Sequence, residues 1–300
     1  MLRMVTAALA ALALATAAQA APQDRYAQNG TVKIHYAVDG KGPLVILLHG
    51  FPDYWGTWKP LMAELNKAGY RTAALDLRGY NLSDKPAGVE AYAMPNLIGD
   101  VAAVVAAEGQ KDAVVVGHDW GAAIAWQVAM NRPDLVRRLV ILSVPHPAGF
   151  AREMATNAEQ QKNSQYARNF QQPGFEKNLT AEGLAGWQKD PAERGPYLEA
   201  LKRSDFAAML NYYRANYPRG AGAQTAAPAA MATALKVRAP TLVIHGMKDT
   251  ALNAAGHSGT WDHVEADTTL AMFPQAGHFV QWEAREQVNR TVVDWLKARP

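Results

Sequence analysis

Four consecutive apolar residues, 113–116, run straight into Gly117-His118-Asp119-Trp120-Gly121, and this junction constrains the fold more than any other stretch of the chain. A short apolar run reads as a buried strand. Glycines two residues to either side of a polar side chain are what a sharp strand-to-helix turn needs, because each missing Cβ lets backbone approach backbone. The spacing is that of a nucleophile elbow, which lifts its central side chain above a parallel sheet. Here the lifted residue is Asp119, where a serine is usual. A serine attacks carbonyls and forms acyl esters, whereas a carboxylate attacks an sp³ carbon bearing a leaving group and forms an alkyl ester with itself. The pentapeptide therefore points to an epoxide or alkyl halide as substrate. Without its surroundings it also fits a plain strand, turn and helix whose aspartate suits the positive end of the helix.

The surroundings repeat the pattern. Residues 32–37 alternate like a strand, Asp39-Gly40-Lys41-Gly42-Pro43 is a turn, and Leu44–Leu48 is a continuous apolar run of the kind buried on both faces. Strands at 71–75, 113–116 and 139–142 then alternate with helices at 96–107 and 122–130. This implies right-handed βαβ crossovers and a mostly parallel sheet flanked by helices. The alternation stops at Pro145-His146-Pro147. Residues 147–228 are more polar and helix-like, ending in a flexible-looking stretch at 219–228, before strands return at 241–245 and 270–273 and an amphipathic helix at 284–296. The expected architecture is an α/β core, residues 21–146 and 229–300, interrupted by an inserted helical cap, 147–228.

Residues 1–20 stand apart. Arg3 is their only charge, an apolar stretch follows it, and Ala18-Gln19-Ala20 precedes Ala21, the pattern of a secretory signal cleaved near Ala20/Ala21. The expected location is periplasmic or secreted, with no stable membrane insertion, since the apolar stretch falls short of the ~20 residues that span a bilayer. Such compartments are oxidising, yet the chain has 0 cysteines, which excludes disulfides and thiolate chemistry. With 49% hydrophobic residues and a net charge of +3, stability comes from a large core, and no basic stripe suggests nucleic acid. Arg132, Arg137 and Arg138 read as a solvated helix end and strand start.

An elbow predicts its partners in the order nucleophile, acid, histidine, the last two on loops after later strands. Asp249 follows the strand at 241–245, and His278 follows the strand at 270–273. The other loop that could supply an acid, Ser143-Val144-Pro145-His146, holds no carboxylate. Of the eight histidines, His35 lies in the first hairpin, His245 ends a strand, and His257 and His263 precede the last strand. His49 and His118 sit in motifs that shape the backbone. That leaves His278 as the base, with His146, at the lid entrance, as a residue of the pocket wall beside Trp120. His49-Gly50-Phe51-Pro52 ends the first central strand, where such a fold places one oxyanion-hole amide; the other belongs to the residue after the nucleophile. The expected donors are the Phe51 and Trp120 N–H groups, although this loop also fits an ordinary strand-ending turn.

Together these segments resemble the α/β-hydrolase-fold epoxide hydrolases. The motif H-G-x-P appears as His49 to Pro52 and G-x-D-W-G as Gly117 to Gly121, while Asp76-Leu77-Arg78-Gly79-Tyr80 with Ser83-Asp84-Lys85-Pro86 matches the loop after the next strand. The similarity covers nearly the whole mature chain; Asn81 departs from it, standing where a glycine is common. The resemblance implies two lid tyrosines that donate hydrogen bonds to the epoxide oxygen. Tyr166, before Phe170-Gln171-Gln172-Pro173-Gly174, matches the first, and Tyr213 in Asn211-Tyr212-Tyr213-Arg214 matches the second. Helical spacing agrees, placing Phe206, Met209, Leu210 and Tyr213 on one face and Tyr212 about 100° away. Buried tyrosines are also ordinary core residues.

The implied reaction opens a small-molecule epoxide to a vicinal diol through a hydroxyalkyl ester on Asp119, hydrolysed by water that His278 activates, with no metal or cofactor. Haloalkane dehalogenases share the fold and the aspartate but bind halide partly through an asparagine where Phe51 stands. Fluoroacetate dehalogenases, which act on a haloacid, follow the nucleophile with arginines, where this chain has Trp120, Ala122 and Ala123. A non-catalytic exported binding protein on this fold is the alternative of a different class. The complete set of nucleophile, acid, base and tyrosines argues against it.

Overall fold

A computed structural model describes residues 21–218 and 235–299. The signal and cleavage site expected at 1–20, and the stretch expected at 219–228 with the cap boundary at its end, lie outside the described residues. Eight strands form one sheet: β1 (Gln23–Asn29), β2 (Val32–Gly40), β3 (Leu44–Leu48), β4 (Arg71–Leu75), β5 (Ala113–His118), β6 (Val136–Leu142), β7 (Thr241–Gly246) and β8 (Thr268–Phe273). Their order across the sheet is β1-β2-β4-β3-β5-β6-β7-β8. β1 and β2 form an antiparallel hairpin, β2 also runs antiparallel to β4, and every later pairing is parallel.

The continuous apolar runs follow from this placement. Successive side chains of a strand point to opposite faces, so a central strand covered on both sides must be apolar at every position. Ile46 and Leu48 of β3 enter one cluster with Val115, Ile141 and Trp126, while Val45 and Leu47 enter another with Val116, Leu142 and Ile244. Each such buried Val, Leu or Ile contributes about 1.5–3 kcal/mol of burial free energy. The same alternation corrects one expectation. Arg132 and Arg137 pair with Asp134 and Asp112, but Arg138, one residue further along β6, turns to the opposite face and is buried.

Between β6 and β7 the helices Pro147–Thr156, Ala158–Asn163, Gln165–Phe170, Ala181–Leu184, Pro191–Arg203 and Phe206–Asn216 form the inserted lid. Their starts are written locally. The Asn157 side chain accepts from Glu159 and Gln160 N–H, Asp190 from Ala192 N–H and Asp205 from Ala208 N–H, each satisfying donors that a helix leaves free at its first turn. Among the described residues no helix is long and apolar enough to cross a membrane.

Asn81 shows why glycine is common at its position. Its φ is 39°, in the left-handed region, where asparagine is the next most tolerant residue. The substitution is also put to use: its amide donates to Asp76 Oδ2 at 2.8 Å and accepts from Arg203 Nε of the lid at 2.8 Å.

Candidate active site

β5 ends at His118, and the chain enters the helix Trp120–Asn131 through Asp119 at φ 50° and ψ −121°. A non-glycine residue held there is strained and persists only when its surroundings over-determine it. The glycines do so. A Cβ on Gly121 would stand 2.1 Å from Leu48 O, one on Gly117 2.3 Å from Gly121 O, and one on Gly50 2.3 Å from Asp119 Cβ. The neighbouring backbones meet so closely that the turn has no slack.

Asp119 is 8% exposed. Its Oδ1 accepts the Phe51 N–H at 2.7 Å, and its Oδ2 lies 3.5 Å from His278 Nε2. His278 Nδ1 donates to Asp249 Oδ2 at 2.8 Å, while Asp249 Oδ1 accepts from Ala251 and Leu252 N–H at 2.7 and 3.0 Å. The structure thus brings together Asp119, His278, Asp249 and Phe51 from the ends of β5, β8, β7 and β3. Trp120 follows Asp119 at the helix start, its ring set edge-on to Tyr213 with centroids 5.0 Å apart.

Burial works against charge on Asp119, but the hydrogen bond and charge of His278 outweigh it and hold the carboxyl below its ordinary range. Burial likewise opposes a charged His278; the Asp249 carboxylate, the hydrogen bond to Asp119 and the Asp119 charge overcome it and raise the imidazole to about 10. At neutral pH the site is therefore an imidazolium between two carboxylates. Asp249 falls for the mirrored reason, burial being offset by His278 and the two backbone donors.

The His278 loop is held from beneath by two side chains. His118 Nε2 donates to the His278 carbonyl at 2.8 Å and Ser143 Oγ donates to the same oxygen at 2.7 Å. Burial lowers His118 to about 4, so it is neutral; Gln281 donates to its Nδ1 at 3.1 Å, which fixes the proton on Nε2. Sequence reasoning treats His118 as shaping the turn and checks the Ser143 loop only for a carboxylate. Neither partnership is visible until β8 is placed beside β7.

The lid supplies an aromatic ceiling. Tyr213 packs against Phe51, Phe170, Trp120 and Tyr166, with centroids 5.7, 5.1, 5.0 and 6.2 Å away. Burial foremost, then the Asp119 charge, pushes the hydroxyls of Tyr166 and Tyr213 well above their ordinary range. Both hydroxyls are therefore neutral at physiological pH and within the field of the Asp119 carboxylate. Tyr212, about 100° away on the same helix, is buried too, because the helix is covered on two sides: it packs against Tyr80 and Tyr92, and its hydroxyl donates to Arg78 O at 2.8 Å.

His146 is also placed otherwise than expected. Its ring lies stacked on His263 at 4.4 Å and 7° and edge-on to Trp126, while its Nδ1 accepts the Ala148 N–H at the helix start. Fully buried, it caps the first lid helix rather than joining Asp119 and the tyrosines. Among the described residues no cluster of His, Asp and Glu could hold a metal ion.

The chain matches the family model of the alpha/beta hydrolase fold over residues 43–285. It is 32% identical to the AB hydrolase superfamily protein YfhM of Bacillus subtilis, covering 91% of this chain and 97% of that one. It is 31% identical to epoxide hydrolase 3 of Xenopus tropicalis, covering 90% of this chain and 76% of the relative. Among solved structures, an epoxide hydrolase from Bacillus megaterium in complex with an inhibitor superposes with a TM-score of 0.81 at 28% identity, over 91% of this chain and 100% of that one. The topology, the elbow and these similarities converge: the chain belongs to the α/β-hydrolase-fold epoxide hydrolase family.

Proposed function

We propose that the protein hydrolyses epoxides to vicinal diols in two covalent steps. The observation that carries this reading is the unequal treatment of the two Asp119 oxygens. Oδ1 is already bound to the Phe51 N–H at 2.7 Å, so Oδ2, 3.5 Å from His278 Nε2 and without a backbone donor of that kind, is the nucleophilic oxygen. In the first step Oδ2 attacks an epoxide carbon and the C–O bond breaks. The oxygen that departs takes a proton from Tyr166 or Tyr213, and the imidazolium of His278 restores that proton by way of solvent.

The product of this step is a neutral ester whose carbonyl oxygen, Oδ1, remains in the oxyanion hole. Forming it also removes the Asp119 charge and the hydrogen bond that help to raise His278. Without them the imidazole becomes less basic, and having given up its proton in the first step it can accept one from water, with Asp249 still supporting it. In the second step His278 takes a proton from water, whose oxygen attacks Asp119 Cγ. The Phe51 and Trp120 N–H groups hold the tetrahedral oxyanion, and its collapse expels the diol and regenerates the carboxylate.

Because water attacks Cγ, the oxygen added to the first diol comes from Asp119. A single turnover in ¹⁸O-water is expected to leave the label on the peptide containing Asp119. Label in the first-turnover diol would instead mean direct attack of water on the epoxide. Bromoalkanes assayed beside styrene-type, aliphatic and fatty epoxides are expected to release little bromide, since Phe51, lodged between Phe170 and Tyr213 at 5.2 and 5.7 Å, offers a halide no donor beyond its backbone.

We further propose that the enzyme acts after export. Ala18-Gln19-Ala20 is the cleavage signal, and mass spectrometry of the protein from periplasm or medium is expected to find Ala21 first. Met1 retained in exported protein would refute it.

A further inference from the structure

Two loops must stay in register for the hydrolytic step, the one carrying His278 after β8 and the one carrying Phe51 after β3. In sheet order β5, β6 and β7 lie between them. A single lid side chain links both. The indole of Trp187 lies flat on Phe279, the residue after His278, with centroids 4.1 Å apart and planes 6° apart. Its Nε1–H donates to the Tyr197 hydroxyl at 3.0 Å, and that hydroxyl donates to the carbonyl of Pro52, the residue after Phe51.

The surroundings make the contact specific. Tyr197 is 1% exposed, on the helix Pro191–Arg203 whose start Asp190 caps. The turn Ala185–Trp187 is tied down by Arg194, which donates to the carbonyls of Ala185 and Gln188. Behind the indole stands Trp282, at 6.0 Å, its own ring covered by the Arg285 guanidinium at 4.5 Å. Trp187 thus holds one face of the His278 loop from above while His118 and Ser143 hold its carbonyl from below.

We propose that Trp187, through Tyr197, is a positioning residue for ester hydrolysis, fixing the general base and the oxyanion donor relative to each other across the site. The proposal rests on the two-step reading above. It assigns Trp187 no part in alkylation, which uses Asp119 Oδ2 and the hydroxyls of Tyr166 and Tyr213.

Single-turnover reactions with styrene oxide, quenched at intervals and read by the mass of the Asp119 peptide, give the two rates separately. Trp187→Ala is expected to slow ester loss about 10- to 100-fold, the scale of displacing a reacting group by about 1 Å, and to leave ester formation within about 3-fold. Tyr197→Phe, which deletes the donor to Pro52 and the acceptor of the Trp187 N–H but leaves the stack on Phe279, should show the same selective loss more mildly. Trp187→Phe keeps the stack but loses the N–H to Tyr197, and should fall between the wild type and Trp187→Ala. If Trp187→Ala does not fold, the two conservative variants carry the test. Equal slowing of both steps, selective slowing of ester formation, or unchanged hydrolysis in Tyr197→Phe would overturn the proposal. If the His278→Gln enzyme forms no ester with this probe, the two-step reading itself fails and the proposal falls with it.

Discussion

Replacing His278 by glutamine is expected to stop the reaction halfway. The substitution removes the imidazole that accepts the water proton, and general-base assistance contributes about 10²–10⁴-fold, so steady-state turnover should fall by that amount or more. The first step should survive, because Asp119 Oδ1 keeps its Phe51 donor, Oδ2 can still attack, and the tyrosine can recover its proton from solvent without the imidazolium. The Asp119 carboxyl, however, is held down by His278 ahead of its other partners, with burial pushing the opposite way. Without the imidazole its range should move upward, and alkylation should require a higher pH than in the wild type. The measurement is the mass of the intact variant after incubation with epoxide: it should rise by one substrate. A variant that neither turns over nor gains mass would show that His278 is needed before the ester, contrary to the assignment.

The second large effect concerns the ceiling. Tyr166→Phe and Tyr213→Phe each delete one neutral donor from a site with no other hydroxyl assigned to the departing oxygen. Each is expected to slow alkylation by about 10- to 1000-fold, and the double variant by about 10⁴-fold or more, the range for losing preorganised donors to a developing oxyanion. Both rings would keep their packing against Phe170 and Tyr213 or Trp120, since only the hydroxyl is lost. Thermal stability should therefore change little. Rapid quenching separates the steps: ester formation should slow while loss of preformed ester stays near the wild-type rate. Unchanged alkylation in both single variants would return the tyrosines to the core.

The central strands are legible because each is covered by helices on both faces, so their composition alone marks them, as in β3 and β5. β1 is not, since Gln23–Asn29 lies at the sheet edge, with only Ala27 buried, and its polar residues show no alternation to read. Its partner is chosen by the β2 hairpin. Helical spacing identifies the Tyr213 face because that face meets Phe51 and Trp120. It does not mark Tyr212, because periodicity describes one buried stripe and this helix is pressed between the site and the loop after β4.

In the site itself, Asp119, Asp249 and His278, which the structure brings together, are readable from local context, each following an apolar run. Residues whose role lies in a distant partner are not. Trp187 meets Phe279 and, through Tyr197, Pro52, residues far from it along the chain, so these contacts leave no local mark. His146 is the reverse case: its position beside the lid suggests the pocket, but a histidine followed by proline at a helix start finds an acceptor role toward Ala148 N–H and is drawn inward.

The tight packing around Asp119 has a consequence for how such a protein changes over generations. The added Cβ atoms at Gly50, Gly117 and Gly121 would meet neighbours at 2.1–2.3 Å, and two of those three meet backbone, which cannot turn aside. Residue 119 itself has its side chain aimed into the site, where its outer atoms meet side chains and a single amide. The frame is thus closed to drift, whereas the outer atoms of its occupant are not fixed by that backbone packing. Divergence in substrate is left to the lid, whose aromatic residues touch the nucleophile's surroundings without building its backbone.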